Sequence, residues 1–223
     1  MYLRILALLM TVGLGRTAVA APILDQVFDD AGNLGNILGN TLAEGFAYAA
    51  QSVTAGVSGH LVRVDLNAGR NANFTTPWEL QILRAVNGLP SSIVLGSQII
   101  DLPVNTGTDW RSYDLQVPVQ LQAGEQFVLA LHPLGVTGNS GLFAGIWHGG
   151  TDDPYTRGRH FYGTDVNAIF GPEIVDPGCS PGCQSWDLNF RTYMASEVPE
   201  ASTLLLVSLG VLLVGARLVR RLQ

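Results

Sequence analysis

The stretch Glu79-Leu80-Gln81-Ile82-Leu83-Arg84 largely alternates polar and apolar side chains. A period of two places every second side chain on the same face of a β-strand. The stretch His60-Leu-Val-Arg-Val-Asp-Leu66 alternates less regularly but in the same sense. Both stretches are therefore predicted to be strands that bury one face.

Further strand-like segments follow at intervals of about ten to fifteen residues, the spacing of an all-β domain. They cover 93–102, 110–117, 126–132, 142–148 and 185–194. Turn formers separate the segments, at Asn87-Gly88-Leu-Pro90, Asn105-Thr-Gly107, Ala123-Gly124-Glu125 and Gly138-Asn-Ser-Gly141. No amphipathic helix lies between them, so a βαβ architecture lacks its crossover helices. The pattern predicts an all-β fold, an antiparallel two-sheet β-sandwich over residues 46–195.

The inward faces of these strands are expected to form the core without any ligand. The predicted core residues are Val64, Leu80, Ile82, Val94, Tyr113, Leu115, Phe127, Leu129, Leu131, Trp186, Leu188 and Phe190. Residues 22–45 precede the sandwich and are rich in Asn and Gly without a clean period. We interpret them as a loose arm with room for one early strand, in which Asp29-Asp30 is a solvated turn rather than a calcium site.

Several segments of 46–195 also resemble a known type of domain. They are Gln51-Ser-Val-Thr-Ala-Gly56, the LVRVDL strand, Leu80–Ala85 with Gly88-Leu-Pro90, Val94-Leu-Gly96, Trp110-Arg-Ser-Tyr-Asp114, Leu121–Leu129 and Trp186–Tyr193. Together they look like the jelly-roll domain of secreted bacterial proteins that are attached through various cell-surface anchors. The resemblance implies a fold more than an activity, because sandwiches host many functions.

The N-terminus has the features of a signal peptide. Arg4 is followed by the mostly apolar Ile5–Leu14, and Thr17–Ala21 supplies small residues for cleavage after Ala20 or Ala21. Residues 1–21 are therefore predicted to be removed, the alternative being an N-terminal anchor or a buried helix. Export favours a disulfide between Cys179 and Cys183, which enclose the turn sequence Ser-Pro-Gly. Free thiols are the alternative, and a metal or redox role would need further ligands.

The charge of the chain disfavours nucleic acid as a partner. All twelve basic residues are arginines, and the formal net charge is −6. Five arginines lie in the two ends, so the middle of the chain carries seven basic and seventeen acidic residues. An acidic body repels phosphate backbones.

The C-terminus combines three features in a fixed order. Val198-Pro199-Glu200-Ala201 precedes an uncharged run to Ala216, and Arg217, Arg220 and Arg221 follow. This order resembles the PEP-CTERM sorting signal, with Ala201 in place of a second proline. The resemblance implies a transmembrane helix within 198–223, transient residence in the inner membrane, and cleavage near the motif by an exosortase that passes the protein to the cell surface or extracellular matrix. An ordinary C-terminal membrane anchor is the alternative.

The sequence offers no strong catalytic constellation. Carboxylates for hydrolysis are available at Asp152, Asp153, Asp165, Glu173 and Asp176, but no nucleophile elbow, zinc-helix motif or phosphate loop is present. The four histidines, at 60, 132, 148 and 160, have no metal-type spacing. No cofactor and no metal are predicted.

The segment 147–162 combines aromatic and polar side chains of the kind that small polar-ligand sites use. The candidate glycan-binding residues there are Trp147, His148, Asp152, Asp153, Tyr155, Arg157 and Tyr162. An ordinary structural loop would have the same composition, and calcium binding through Asp152 and Asp153 is a third interpretation.

These observations favour a non-enzymatic exported protein of the cell surface or extracellular matrix, sorted and processed by an exosortase and associated with exopolysaccharide. One alternative is a carbohydrate-binding module that uses the 147–162 loop. The other is a glycan-active hydrolase that uses the loop carboxylates.

Overall fold

The computed structural model describes residues 21–30, 34–38, 48–73, 75–104, 109–134, 145–150, 155–163 and 187–196. For residues 34–38, 48 and 162–163 it describes the backbone alone. The described part of the chain contains twelve strands. They are β1 Ile23–Phe28, β2 Leu34–Leu38, β3 Tyr48–Thr54, β4 Gly59–Arg70, β5 Trp78–Val86, β6 Leu89–Ile100, β7 Trp110–Leu121, β8 Gln126–Pro133, β9 Gly145–Gly150, β10 His160–Gly163, β11 Asp187–Leu188 and β12 Phe190–Ala195.

The strands form two sheets. The first follows the order β1-β12-β4-β9-β11, with β7 on the other side of β4 and β2 paired to β9. The second follows the order β10-β3-β8-β5-β6. Neighbouring strands within each sheet are antiparallel. The predicted all-β class and its two antiparallel sheets are therefore confirmed, as expected of a β-sandwich.

Two predicted turns have the backbone that their residues favour. Asn87 and Gly88, between β5 and β6, have φ of 54° and 77°. Positive φ at both central residues is typical of the tight hairpin turn that matches the twist of its strands. Gly124, between β7 and β8, has φ of 84°. A glycine adopts this conformation without the steric cost of a Cβ atom.

The central strand of the seven-stranded sheet, β4, pairs with different neighbours along its length. Residues up to Asn67 pair with β12 on one side and β7 on the other, whereas Ala68–Arg70 pair with β9. Both ladders shift register near Leu61 and Arg63. After this bulge Val64 and Leu66 point into the core, so Arg63, Asp65 and Asn67 lie on the outer face.

The core lies between the two sheets and matches most of the sequence prediction. Val64, Leu80, Ile82, Phe127, Leu129, Leu131, Leu188 and Phe190 are buried there, and Tyr113 and Leu115 pack against it partly buried. Trp186 lies outside the described residues.

The core prediction is wrong for Val94, which is 45% exposed. Ile82 pairs with Gly96 whereas Leu83 pairs with Val94, so Leu95 is an extra residue in β6. This bulge turns Leu95 toward the core, and Val94 then points outward.

The N-terminal segment contributes to the seven-stranded sheet. β1 forms its edge beside β12, with Ile23 opposite Met194 and Phe28 opposite Phe190. Phe28 belongs to the core, and β2 pairs with β9. The segment predicted to be a loose arm with room for one early strand therefore contains two strands, β1 and β2. Residues Pro22–Ala195 form one compact unit.

Several sequence predictions fall on residues outside the described ranges. These are the signal peptide up to residue 20, the Cys179–Cys183 pair and the tail from 198 to 223. Within the described residues, no helix has the length and apolar character needed to cross a membrane.

Candidate functional site

Two of the aromatic residues proposed to bind glycan are part of the core. Trp147 is fully buried on β9, and its indole N–H donates to the backbone oxygen of Asn189 at 2.9 Å. Tyr155 is 6% exposed and packs edge-to-face on Phe190, with ring centroids 5.0 Å apart. Neither ring can stack on a sugar while it fills the core, and this corrects the sequence interpretation for both residues.

The other members of that segment do not complete a binding surface. His148 is buried on β9, and Arg157 reaches back to donate to Gln26 Oε1 at 3.2 Å and to the backbone oxygen of Ala55 at 3.4 Å. Asp152 and Asp153 lie outside the described residues, as do Asp165, Glu173 and Asp176. Only the backbone of Tyr162 is described.

A buried polar network holds Tyr155 in place. Gln51 Nε2 donates to Asp187 Oδ1 at 2.7 Å, and Gln51 Oε1 accepts from the amide of Leu188 at 2.9 Å. The other carboxylate oxygen, Asp187 Oδ2, accepts from the amide of Tyr155 at 3.3 Å. A buried charge needs such partners, so the network joins β3 of one sheet to β11 of the other.

The hydroxyl of Tyr155 lies in the same region. It donates to Gln26 Oε1 at 3.3 Å and accepts from the amide of Thr54 at 3.2 Å. Burial raises the pKa of Tyr155 to about 12, although the bond from Thr54 and the charge of Arg157 oppose the shift. The phenol is therefore a neutral structural group over the whole physiological range.

A different group of polar and aromatic side chains lies on the outer face of the seven-stranded sheet. We call this group the β4 patch. Its members come from β4, β7 and β12, with one carboxylate from the end of β1. They are Arg63, Asp65, Asn67, Trp110, Asp114, Arg191, Tyr193 and Asp29.

Ion pairs and ring contacts tie the β4 patch together. Arg63 Nε lies 2.6 Å from Asp114 Oδ1, and the Arg63 guanidinium lies 5.7 Å from the ring centre of Tyr193. Arg191 forms an ion pair with Asp29, and its guanidinium carbon lies 4.1 Å from the ring centre of Trp110.

The carboxylate of Asp65 interacts with two other members of the patch, Tyr193 and Arg63. The hydroxyl of Tyr193 donates to Asp65 Oδ2 at 2.9 Å. Burial, and then this hydrogen bond, raise the pKa of Tyr193. The pKa of Arg63 is also raised, chiefly by Asp114 and to a smaller extent by Asp65. These raised pKa values keep the Tyr193 hydroxyl neutral, as a hydrogen-bond donor, and the Arg63 guanidinium charged.

Two oxygen atoms within the β4 patch have no hydrogen-bond donor. Asp65 is 5% exposed and Asn67 is 3% exposed, and the Oδ1 atoms of both are buried without a partner. Buried polar atoms almost always have one, so each exception calls for an explanation. The described part of the five-stranded sheet also has atoms without a partner, Trp78 Nε1 and Gln81 Oε1. These two side chains lie on opposite faces of their sheet, so they do not form a pair as Asp65 and Asn67 do.

A titratable pair lies on the outer face of the five-stranded sheet. His132 Nε2 lies 3.0 Å from Glu79 Oε2, which also accepts from Gln81 Nε2 at 3.0 Å. Besides Gln81, the described side chains around this pair are mostly small or apolar: Ala50, Leu83, Val128, Ala130 and Phe161 form a buried cluster. An acid–base pair without nearby substrate-binding groups does not by itself define an active site.

The described residues contain no group of three or more His, Cys, Asp or Glu side chains that could hold a metal ion. The four histidines lie on four different strands, β4, β8, β9 and β10.

The described residues thus define an all-β protein with two antiparallel sheets and a polar, aromatic patch on one outer face. No protein-family model matches the chain, and no curated protein is significantly similar to it.

One feature of the sequence points to the β4 patch but was not used to predict a site. Arg63, Asp65 and Asn67 recur at every second position, so they share one face of the predicted strand. Their partners on β7 and β12 are distant in sequence, and only strand order brings them together.

Proposed function

We propose that the chain is a non-enzymatic exported protein of the cell surface or extracellular matrix, sorted and processed by an exosortase and associated with exopolysaccharide. The observation that carries the proposal is the order of the C-terminal features, in which Val198-Pro199-Glu200 precedes an uncharged run and a cluster of arginines. The finer fold assignment, a jelly-roll sandwich of secreted bacterial proteins, is part of the same proposal.

The limits of the described strands support this proposal. The first strand begins at Ile23, just after the expected cleavage at Ala20 or Ala21, and the last ends at Ala195, just before Val198. Cleavage at both sites would leave every described strand intact. A folded body between two removable segments is what export followed by sorting requires.

The two alternative functions have less support. Glycan binding through 147–162 would require exposed rings, yet Trp147 and Tyr155 are buried. Hydrolysis would require two carboxylates that face each other. The loop carboxylates considered for this role all lie outside the described residues. A turnover number above background on a polysaccharide or ester substrate would overturn the non-enzymatic proposal.

The direct test measures the intact mass and the location of the mature protein in native cells with and without the exosortase gene. We expect a mass that lacks residues after the Val198-Pro199-Glu200 region, and release to the surface only when the enzyme is present. A full-length C-terminus in the inner membrane of both strains would refute sorting and indicate a permanent anchor.

A matched pair of variants localises the effect to the motif. Glu200→Gln should leave the protein unprocessed in cells that contain the exosortase. Glu197→Gln removes a neighbouring carboxylate outside the motif and should be processed normally. Equal processing of both variants would show that the motif carboxylate is not recognised.

A further inference from the structure

We propose that the β4 patch is a binding site for a neutral, hydroxyl-rich ligand, a sugar unit of a glycan, which Asp65 and Asn67 hold as hydrogen-bond acceptors. The two residues are separated by one position on β4, so their side chains stand about 7 Å apart on the same face. That span is comparable with the width of one sugar ring. The inference rests on the proposed association with polysaccharide and names the surface that would perform it.

The register of the sheet shows how the site is covered. β12 and β7 lie on opposite sides of β4, with Arg191 opposite Asp65 and Trp110 opposite Asn67. Arg191 lies 4.1 Å from the Trp110 ring, so its side chain crosses above β4 to make this contact. The Arg191–Trp110 contact therefore forms a roof over the two acceptors.

The two acceptors below the roof lack a hydrogen-bond donor, which a hydroxyl group would supply. Asp65 Oδ1 and Asn67 Oδ1 are buried and have no donor, although Asp65 Oδ2 already accepts from Tyr193. A buried acceptor without a donor is destabilising, and a ligand O–H would relieve that cost. A purely structural face would gain stability from apolar residues at the same positions.

The charges around the acceptors favour a neutral ligand. The carboxylate of Asp65 would repel an acidic sugar, whereas Arg63 and Arg191 would repel a cation. Each arginine already has a carboxylate partner, Asp114 and Asp29 respectively. Asp65 is then the one carboxylate of the patch without an arginine partner of its own, and its free oxygen suits a hydroxyl donor rather than an anion.

The roof is held by interactions that are weak enough to exchange. The Arg191 side chain is 31% exposed and its Asp29 partner 41% exposed. Exposed ion pairs and exposed cation–π contacts contribute little stability because water screens them. A ligand can therefore displace Arg191 sideways and use the ring of Trp110, which is itself only partly buried.

The test is a titration of the full-length chain, labelled with ¹⁵N-tryptophan in detergent, with neutral oligosaccharides. The probes are hexamers of glucose, mannose and galactose and the neutral polysaccharide fraction secreted by the native cell, with polygalacturonate as the acidic comparison. We expect a neutral probe to shift the indole resonance of Trp110, while those of the buried Trp78 and Trp147 stay in place.

Two variants and one control separate binding from folding. Asn67→Leu removes one acceptor at similar volume, so affinity should fall by about tenfold, the effect of one lost hydrogen bond. The thermal midpoint of this variant should stay the same or rise, because an unpartnered oxygen is removed. Trp110→Ala should also weaken binding, whereas Val117→Ala, at a 69% exposed position of the same strand, should not.

The outcomes are decisive in both directions. A Trp110 shift with a neutral probe, at an affinity about tenfold weaker in Asn67→Leu, supports the site. A Trp110 resonance unmoved by every neutral probe, exclusive binding of polygalacturonate, or unchanged affinity in Asn67→Leu would overturn it. Binding to the purified chain does not depend on sorting, so failure here and failure of the exosortase test are distinguishable.

Discussion

The alkaline stability of the protein should depend in part on the buried phenol of Tyr155. Burial raises the pKa of Tyr155 to about 12, whereas an unfolded chain titrates near the ordinary value of about 10. Between these two values the folded state binds more protons than the unfolded state, so the free energy of unfolding falls as the pH rises. The contribution of Tyr155 is complete below about pH 10 and is lost by about pH 12.

The expected size follows from the shift. A difference of about two pH units corresponds to about 3 kcal/mol at about 1.4 kcal/mol per unit. Burial also raises the pKa of Tyr113 to about 12, so a second tyrosine adds a similar loss in the same window.

The assay is urea unfolding followed by far-ultraviolet circular dichroism at pH values from 8 to 12. At pH 8, Tyr155→Phe should be less stable by about 1–3 kcal/mol, since the partly buried amide of Thr54 loses its acceptor. Between pH 10 and 12 this variant should then lose about 3 kcal/mol less than the wild type does. Equal losses in the wild type and Tyr155→Phe would refute the assignment. Tyr113→Phe, which removes the other phenol with a raised pKa, should reduce the loss in the same window.

Other substitutions test the fold itself. Gly149→Ala should destabilise the protein by about 3 kcal/mol or more in urea unfolding. The new Cβ atom would lie 2.2 Å from the backbone oxygen of Asp187, and neither backbone can move freely. A variant as stable as the wild type would contradict this. Asp25→Ala should lower the free energy of unfolding by about 1–2 kcal/mol, because the amides of Gly56 and Val57 donate to that carboxylate at 2.9–3.1 Å. Hydrogen exchange at these two amides should be faster, and unchanged exchange would contradict the prediction. Leu129→Ala should cost about 2–5 kcal/mol through the cavity that it leaves, measured by the same unfolding assay.

The sequence predicted the strands whose alternation is local. β4 and β5 correspond to stretches that largely alternate, and β8 to a short continuous apolar run of bulky residues. The Asn87-Gly88 turn has the residues that a tight hairpin needs. β3 was not among the predicted strands, because its small side chains Ala49 and Ala50 are buried on both faces and give no alternation. Val94 was misplaced because a bulge reverses the period without a signal in the residue types.

The candidate site was harder to predict for a physical reason. Aromatic rings beside polar residues at 147–162 have the composition of a binding loop, yet Trp147 and Tyr155 are drawn into the core because their polar atoms find partners there. In the β4 patch, Trp110 and Arg191 are distant in sequence. Their contact depends on the order β12-β4-β7, which no local pattern encodes.

The position of β12 has a mechanical consequence. Its last residue, Ala195, is where the chain leaves the sandwich toward the tail, and the strand is hydrogen-bonded to β1 on one side and to β4 on the other. A force along the axis of β12 would load both ladders in shear, so their bonds would have to break together. A tail attached to an edge strand would have only one ladder to hold it. Tension along this strand is therefore carried by two ladders rather than by one.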